Sequence, residues 1–488
     1  MRVTKRTPPL LRSWIGCFLA IWLLAACETG PLPTFTGTRT PKALSSPTAN
    51  SRPSPSAISR FSPTATSEPT SAVTLQAEEL RAAQVTFWYP WSGQAVQVIQ
   101  GLVDDFNAGN EWGIQVQAEG QSDYDRLFER VQSGLESGAG PNLAIAYPYQ
   151  ALSWGESGAP LDLEPYAQDP QWGLPTEEQE DFYPPFWQQP VVDGVRVGVP
   201  AARSGFALFY NQSWAEELGF NQAPRTLEQV QQQACAAAQA LRQDADSQND
   251  NQGGLILSSD YPAQLAWMHA FGAQVLGSQS DTYHFDTAKV EEAFRFQRSL
   301  YDQGCAWLSE NDPPVGEFAD RQGLIAVNSL ASLEEQQQAF EQAGNNDHWL
   351  VLPFPSSSGE PVLETYGPSY VLLPGSPAQE LASWLFVRWM SESENQAQLV
   401  EAMGTLPLSE SSKKLLEPYR RSHPLWGQAV DLLPYAQEEP AQASWRLVRW
   451  SVFDAGTQLF RSYFSSDQIP QLVELLDQTA AELHDVEP

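Results

Sequence analysis

The chain is 488 residues long and carries 59 Asp and Glu against 27 Lys and Arg, a formal net charge of −32. Phosphate contacts need Lys and Arg to neutralise them, so nucleic acid and anionic lipid are poor partners for so acidic a body. The part beyond about residue 80 is long enough for two or three domains with sizeable cores.

The N-terminus reads as a targeting segment. Arg2, Lys5, Arg6 and Arg12 precede an apolar run of 13 residues from Trp14 to Ala26. That length suits a secretory leader and is too short to span a bilayer as a helix. Leu23-Leu24-Ala25-Ala26-Cys27 resembles the lipobox of bacterial lipoproteins. The resemblance implies removal of residues 1–26, acylation of the Cys27 thiol by a palmitate-like chain, and anchoring outside the cytoplasm. The alternative is an ordinary signal peptide in which Cys27 is incidental. Loss of the leader removes four basic residues and takes the net charge to −36.

Residues 28–74 hold 8 Pro, 9 Ser and 10 Thr, more than half of the segment, with few large apolar side chains to repay the entropy of folding. Residues 27–80 are therefore expected to be a lipidated cysteine followed by a disordered, semi-extended tether. As a coil it reaches roughly 40 Å, and at full polyproline II extension about 145 Å. Past Cys17 and Cys27, only Cys235 and Cys305 remain. An even pair in an oxidising location is expected to form a disulfide, with two buried free thiols as the alternative.

Beyond the tether the pattern alternates between strand and helix. Residues 84–89 alternate, with Val85 and Phe87 on one face and Thr86 and Trp88 on the other. Ser92 and Gly93 offer a cap to a helix whose stripe is Val96, Ile99, Leu102, Val103 and Phe106, closed by Gly109 and Asn110. A strand over 114–118, an amphipathic helix over 123–135 and an almost wholly apolar strand over 143–147 follow. That order predicts a parallel sheet covered by helices. Residues 198–210 read as extended, and 226–242 as a helix with Leu227, Val230, Ala234, Ala237 and Leu241 inward. The polar loop 244–254 starts like a calcium loop, but Asn249 and Leu255 occupy the glycine and glutamate positions, so that reading fails. A strand at 255–257, helices near 262–271 and 287–302, and a strand at 323–328 come next. The last hundred residues are mostly helical, with stripes Leu381-Leu385-Phe386-Trp389 and Val448-Val452-Ala455-Leu459.

Taken in order, these pieces resemble the extracellular solute-binding proteins of ABC importers, of the sugar and glycerol-phosphate type, over roughly residues 84 to 405. The motifs are Val85-Thr86-Phe87-Trp88-Tyr89, Leu102-Val103-Asp104-Asp105-Phe106-Asn107, Gly140-Pro141-Asn142-Leu143-Ala144 and Gly158-Ala159-Pro160-Leu161-Asp162-Leu163. They continue with Gly198-Val199-Pro200, Leu208-Phe209-Tyr210-Asn211, Ala223-Pro224-Arg225-Thr226-Leu227, Gly323-Leu324-Ile325-Ala326-Val327 and Ala382-Ser383-Trp384-Leu385-Phe386. The resemblance implies an α/β, two-lobed periplasmic-binding-protein-like fold, each lobe a mostly parallel sheet flanked by helices, joined by a hinge. One lobe is expected from 81–201 and 322–365, the other from 205–318 and 369–488, with crossings near Ala202, Arg321 and Gly367. It further implies a monomer that captures a small solute, most simply a carbohydrate or related polyol, and delivers it to a membrane permease without cofactor or metal. One departure stands out: sugar binders of this family often carry a stacking aromatic after the strand ending Val327-Asn328, and here the chain reads Ser329-Leu330-Ala331-Ser332.

Ligands of open parallel sheets sit beyond the carboxyl ends of the strands. For the first three strands those ends carry Trp88 and Trp91, then Tyr124, then Tyr147 and Tyr149, beside polar groups. Rings that stack on C–H faces and polar groups that bond hydroxyls suit a sugar; the alternative is that the rings plug the sheet end as core. On the facing lobe the resemblance points to Arg203, Ser204 and Tyr210 of the crossing segment, to Trp267 on a helix, and to Tyr366 on the return. Arg203 would hold either an anionic ligand group or an acidic residue of the other lobe. Trp88 and Trp267 are expected to face one cleft from opposite lobes. No nucleophile elbow, zincin motif, phosphate loop or zinc spacing is present, and His269, His284, His348, His423 and His484 stand alone. A secreted carbohydrate hydrolase, whose two carboxylates need no motif, and a surface adhesion lipoprotein are the competing readings.

Overall fold

In the computed structural model, residues 75–155, 160–277 and 282–485 are described. Contacts divide the chain after Thr66, and all described residues belong to the second unit, Ser67–Pro488. The leader, Cys27 and the tether to residue 74 lie outside them. The last residues expected in the tether are folded instead: Ala77–Leu80 forms a single turn, and Leu80 is fully buried.

Fourteen strands follow in chain order: β1 Gln84–Tyr89, β2 Gln115–Gly120, β3 Leu143–Ala146, β4 Val191–Val192, β5 Val195–Arg196, β6 Val199–Pro200, β7 Ser204–Asn211, β8 Leu255–Leu257, β9 Ala306–Leu308, β10 Ile325–Ser329, β11 Trp349–Leu352, β12 Leu363–Tyr366, β13 Ser369–Leu372 and β14 Ala436–Glu438. Among the described residues, one sheet has the order β2-β1-β3-β13-β6, a second β14-β12-β7-β10-β8-β9 with β11 also paired to β7, and β4 and β5 form a two-stranded antiparallel ladder. Each of the two larger sheets contains a single reversed strand. β13 runs antiparallel to β3 and β6, and β7 runs antiparallel to β10, β11 and β12. These are the two strands that enter immediately after the chain passes from one sheet to the other, β6 to β7 and β12 to β13. Their reversal breaks an otherwise parallel pattern in each of these two sheets.

Helix formation follows the capped, amphipathic stretches. Asp123 accepts from Arg126 N at the start of Tyr124–Ser137, and Thr226 and Thr287 cap Leu227–Arg242 and Ala288–Asp302 in the same way. In the first lobe, Gln94–Gly109 and Pro377–Met390 cover one sheet face, with Phe87, Phe106 and Phe386 ring to ring at 5.1–5.7 Å. Tyr124–Ser137 covers the other face over Trp88, Leu127 and Val131. β7 is buried on both faces: Phe206, Leu208 and Tyr210 join one cluster, Ala207 and Phe209 the other, which explains its unbroken apolar run.

Strand pairing corrects the expected lobe boundaries. β10, β11 and β12 pair into the second sheet, so 322–365 belongs to the second lobe. β13 pairs with β3 and the helix Pro377–Met390 packs on β1, so the chain from 369 through that helix belongs to the first. Ala202 and Gly367 do mark passages between the sheets. They run in contact: a Cβ on Gly367 would clash with Ala202 O. Arg321 is no crossing, because β9 and β10 on either side of it share a sheet; it pairs instead with Glu217 and Asp347 at 2.8 and 2.6 Å. The third passage lies between the helices Ser393–Met403 and Pro424–Asp431, where Leu406 N donates to Arg203 O.

Cys235 and Cys305 are bonded, with Cα atoms 4.3 Å apart, tying the helix Leu227–Arg242 to the start of β9.

Candidate solute-binding cleft

The carboxyl ends of the parallel strands of both sheets converge on one cleft. From the first lobe, Trp91 follows β1, Tyr124 follows β2 and Tyr147 follows β3. Trp91 Nε1 donates to Tyr124 OH at 3.0 Å, and the Tyr124 and Tyr147 rings lie 5.1 Å apart. Burial and the nearby Tyr124 hydroxyl push the Tyr147 phenol well above its ordinary range, so it stays a neutral donor. From the second lobe come Asp260 and Tyr261 after β8, Asp312 after β9, Asn328 and Ser329 at the end of β10, and Tyr366 at the end of β12. Tyr366 OH and Ser329 Oγ are 2.7 Å apart, and the Phe206 ring stands 6.0 Å from the Tyr366 ring.

Two adjoining cavities fill this space. One of about 460 Å³ is lined by Trp91, Tyr124, Tyr147, Ser204, Tyr366 and Met403, among others. The other, about 400 Å³, is lined by Phe206, Asp260, Tyr261, Asp312, Asn328 and Glu335, among others. Tyr366 and Ala331 form walls of both, so the two are halves of a cleft that Tyr366 partly divides. The first half is aromatic with hydroxyls; the second is acidic. Burial and the Asp312 carboxylate push Asp260 up to about 6. Glu439, which lines a separate hollow of about 470 Å³ with Gln189 and His269, is 2 % exposed, pushed up to about 8 by burial, and accepts from Trp445 Nε1 at 2.9 Å. A larger hollow of about 880 Å³ lies on the outer face of the first lobe, between the helices Gln94–Gly109 and Pro377–Met390. It is remote from the strand ends and lacks their convergence.

Of the residues expected at the site, Trp91, Tyr124, Tyr147, Ser204, Arg203 and Tyr366 line the cleft and four do not. Trp267 is fully buried against Phe354 and Phe296, with ring centroids 4.9 and 5.4 Å away. Trp88 is 7 % exposed, packed beneath the helix Tyr124–Ser137 with the Arg130 guanidinium 4.7 Å over its ring. The two tryptophans therefore share no cleft: one belongs to each lobe's core. Tyr210 is fully buried and donates to Gln233 Oε1 on the helix Leu227–Arg242. Tyr149 stacks on Tyr147 at 5.2 Å but is sealed at the lobe seam, where Arg449 Nη1 donates to its hydroxyl.

Arg203 reaches the cleft wall with no surface left for solvent. Its Nη1 donates to Ala202 O and Pro368 O, its Nη2 to Gln189 Oε1, and its Nε stands 3.3 Å from Glu438 Oε2. The acidic partner, Glu438, stands on β14 of the sheet that β7 enters, so the guanidinium ties the crossing segment to the second sheet and is taken up by these protein groups. The missing aromatic at Ser329–Ser332 is answered in space by Tyr366, which β12 brings beside Ser329. Sequence reading missed Asp260, Tyr261, Asp312, Asn328 and Glu335. The strand-end rule that found the first lobe's tyrosines also finds Asp260 and Asn328, once β8 and β10 are known to be parallel neighbours.

A family model described as bacterial extracellular solute-binding protein matches residues 101–422. The chain belongs to that family. This solute-binding protein is 22 % identical over 333 residues to a binding protein of Brucella abortus (strain 2308), covering 66 % of this chain and 75 % of the relative. Its fold is similar to the cyclic alpha-maltosyl-1,6-maltose binding protein of Arthrobacter globiformis, at 19 % identity and a TM-score of 0.70, over 83 % of this chain and all of the other. The sugar-binding protein MalE of Xanthomonas citri matches at 21 % identity and a TM-score of 0.69, over 82 % and 97 % of the two chains. UgpB of Mycobacterium tuberculosis, solved with glycerophosphocholine, matches at 16 % identity and 0.64, over 83 % and 99 %.

Proposed function

We propose that the solute-binding protein captures a small carbohydrate or related polyol in the interlobe cleft and delivers it, chemically unchanged, to an ABC importer in the membrane. The observation that carries this is the convergence of Trp91, Tyr124, Tyr147 and Tyr366 with Ser204 and Ser329 at the strand ends of both lobes. Rings there offer faces for C–H patches, and hydroxyls offer partners for sugar hydroxyls. The sugar and glycerophosphocholine ligands of its structural neighbours support the same solute class. An extracytoplasmic position suits the family, and Cys27 would supply the lipid anchor; intact mass of the mature protein should show loss of residues 1–26 and an acyl adduct there.

Thermal unfolding of the protein against mono- and disaccharides, polyols and glycerol phosphates tests the reading. A one-site ligand at a hundred times its dissociation constant adds roughly 2.7 kcal/mol. A stabilising solute should be recovered intact. Accumulation of hydrolysis product in the same tubes would overturn simple capture in favour of a hydrolase.

A further inference from the structure

The acidic half of the cleft is built differently from the aromatic half. Asp260 follows β8, Asp312 follows β9, and Glu335 lies on the helix Leu333–Ala343, all lining one cavity of about 400 Å³. None of the three forms a salt bridge among the described residues. Arg449, whose charge reaches Asp260, makes no salt bridge with it and is engaged by the Tyr149 hydroxyl and the face of Tyr261. The same cavity is walled by the rings of Phe206, Tyr261 and Tyr366. Asn328 also lines it: the residue is 2 % exposed, its Oδ1 accepts from Ser329 N, and its buried Nδ2 has no partner.

These features ask for a ligand with two kinds of group. Carboxylates held near one another with no salt-bridge partner favour a cation, and aromatic faces around them add to that preference. An unpartnered amide N–H₂ calls for an acceptor, such as a hydroxyl or ring oxygen. Among the described residues no three His, Cys, Asp or Glu side chains are placed to hold a metal ion. The positive charge is therefore expected on the same molecule as the oxygens.

We propose that the solute is an aminated carbohydrate or aminated polyol, its ammonium seated between Asp260 and Asp312 and a neighbouring oxygen on Asn328 Nδ2. This deepens the capture reading and rests on it. The neutral part of the solute then extends past Tyr366 into the half lined by Trp91, Tyr124 and Tyr147. The strongly negative body adds long-range attraction for a cationic solute and should raise its association rate at low salt.

The test is calorimetric titration of the full folded body with matched pairs: glucosamine and its β-1,4 dimer against the N-acetylated forms, and against glucose and cellobiose. An aminocyclitol is paired with its deaminated polyol. The aminated member of at least one pair should bind tenfold or more tightly than its neutral partners. Asp260→Asn and Asp312→Asn should erase that preference while leaving the melting temperature of the ligand-free protein within a few degrees. Calcium and magnesium chloride serve as probes for a bare cation site. Neutral and aminated partners binding equally would overturn the ammonium assignment and leave carbohydrate capture standing. Binding of no member, aminated or neutral, would overturn both. Saturable metal binding that is lost in Asp260→Asn would replace the ammonium by an ion.

Discussion

Tyr366 shows how a single side chain comes to define a cleft. It ends β12, holds Ser329 Oγ at 2.7 Å, and forms a wall of both cavity halves. Trp267 is its opposite: fully buried, ringed by Phe296 and Phe354, with no path to the cleft. The two should respond differently to truncation. Trp267→Ala should cost about 3–5 kcal/mol of fold stability through the cavity it leaves. Tyr366→Ala should leave the ligand-free melt nearly unchanged and weaken solute binding at least tenfold, about 1.4 kcal/mol. Paired melts and titrations read both effects; a large drop in the ligand-free melt of Tyr366→Ala would make it a packing residue. Sequence alone could not separate these rings, because a tryptophan at a strand end or on a helix is equally suited to core and to ligand. The choice depends on what covers it. For Trp88 the cover is the helix Tyr124–Ser137 and Arg130.

At the scale of elements, local chemistry was highly legible. Stripes at 3.6-residue spacing placed the helices at 123–135, 226–242, 262–271 and 287–302 within a residue or two of their observed ends, and the structure shows Asp123, Thr226 and Thr287 capping three of them. The cysteine pair was legible too, and its geometry shows what it does. Helix Leu227–Arg242 packs over β8 and β9 near the edge of the second sheet, and the bond fastens it where β9 has a neighbour on one side only. Closing a loop of about seventy residues is worth about 4 kcal/mol in the chain-entropy model. Cys235→Ser with Cys305→Ser should therefore lower the unfolding free energy by roughly 2–4 kcal/mol while solute affinity stays within twofold, since the bond is outside the cleft. Equal stability of the double variant and the parent in urea titrations would show that the loop is already restrained by packing.

For the whole molecule, contacts across the lobe seam set the arrangement seen. Arg449 Nη1 donates to Tyr149 OH at 2.6 Å, Ser153 Oγ donates to Ala443 O at 3.2 Å, and the Arg446 guanidinium lies 5.1 Å over the Phe128 ring. Each joins the first lobe to the helix Trp445–Leu459 or the turn before it. If closure on solute is a shift between open and closed arrangements, these contacts bias it toward closed. Arg449→Ala is then expected to enlarge the ligand-free radius of gyration in solution scattering. Solute affinity should fall by the fraction of closed state lost. An unchanged scattering curve together with unchanged affinity would remove the seam from the closing equilibrium.

By itself, the sequence determined the alternation of strands and helices, the acidic surface, the cysteine pair and the strand-end aromatics of the first lobe. All of these rest on neighbours within a few residues or on composition, where periodicity and capping act directly. Only the tertiary structure decided that 322–365 joins the second sheet and β13 the first. It also decided that Arg203 is spent on Glu438, and that Asp260, Asp312 and Asn328 meet in one cavity. Sheet membership is set by pairing partners more than a hundred residues apart, such as β7 with β10 and β3 with β13. No local pattern encodes which distant edge a strand will find. The acidic half of the cleft follows from that pairing, since its residues become neighbours only when β8, β9 and β10 end side by side.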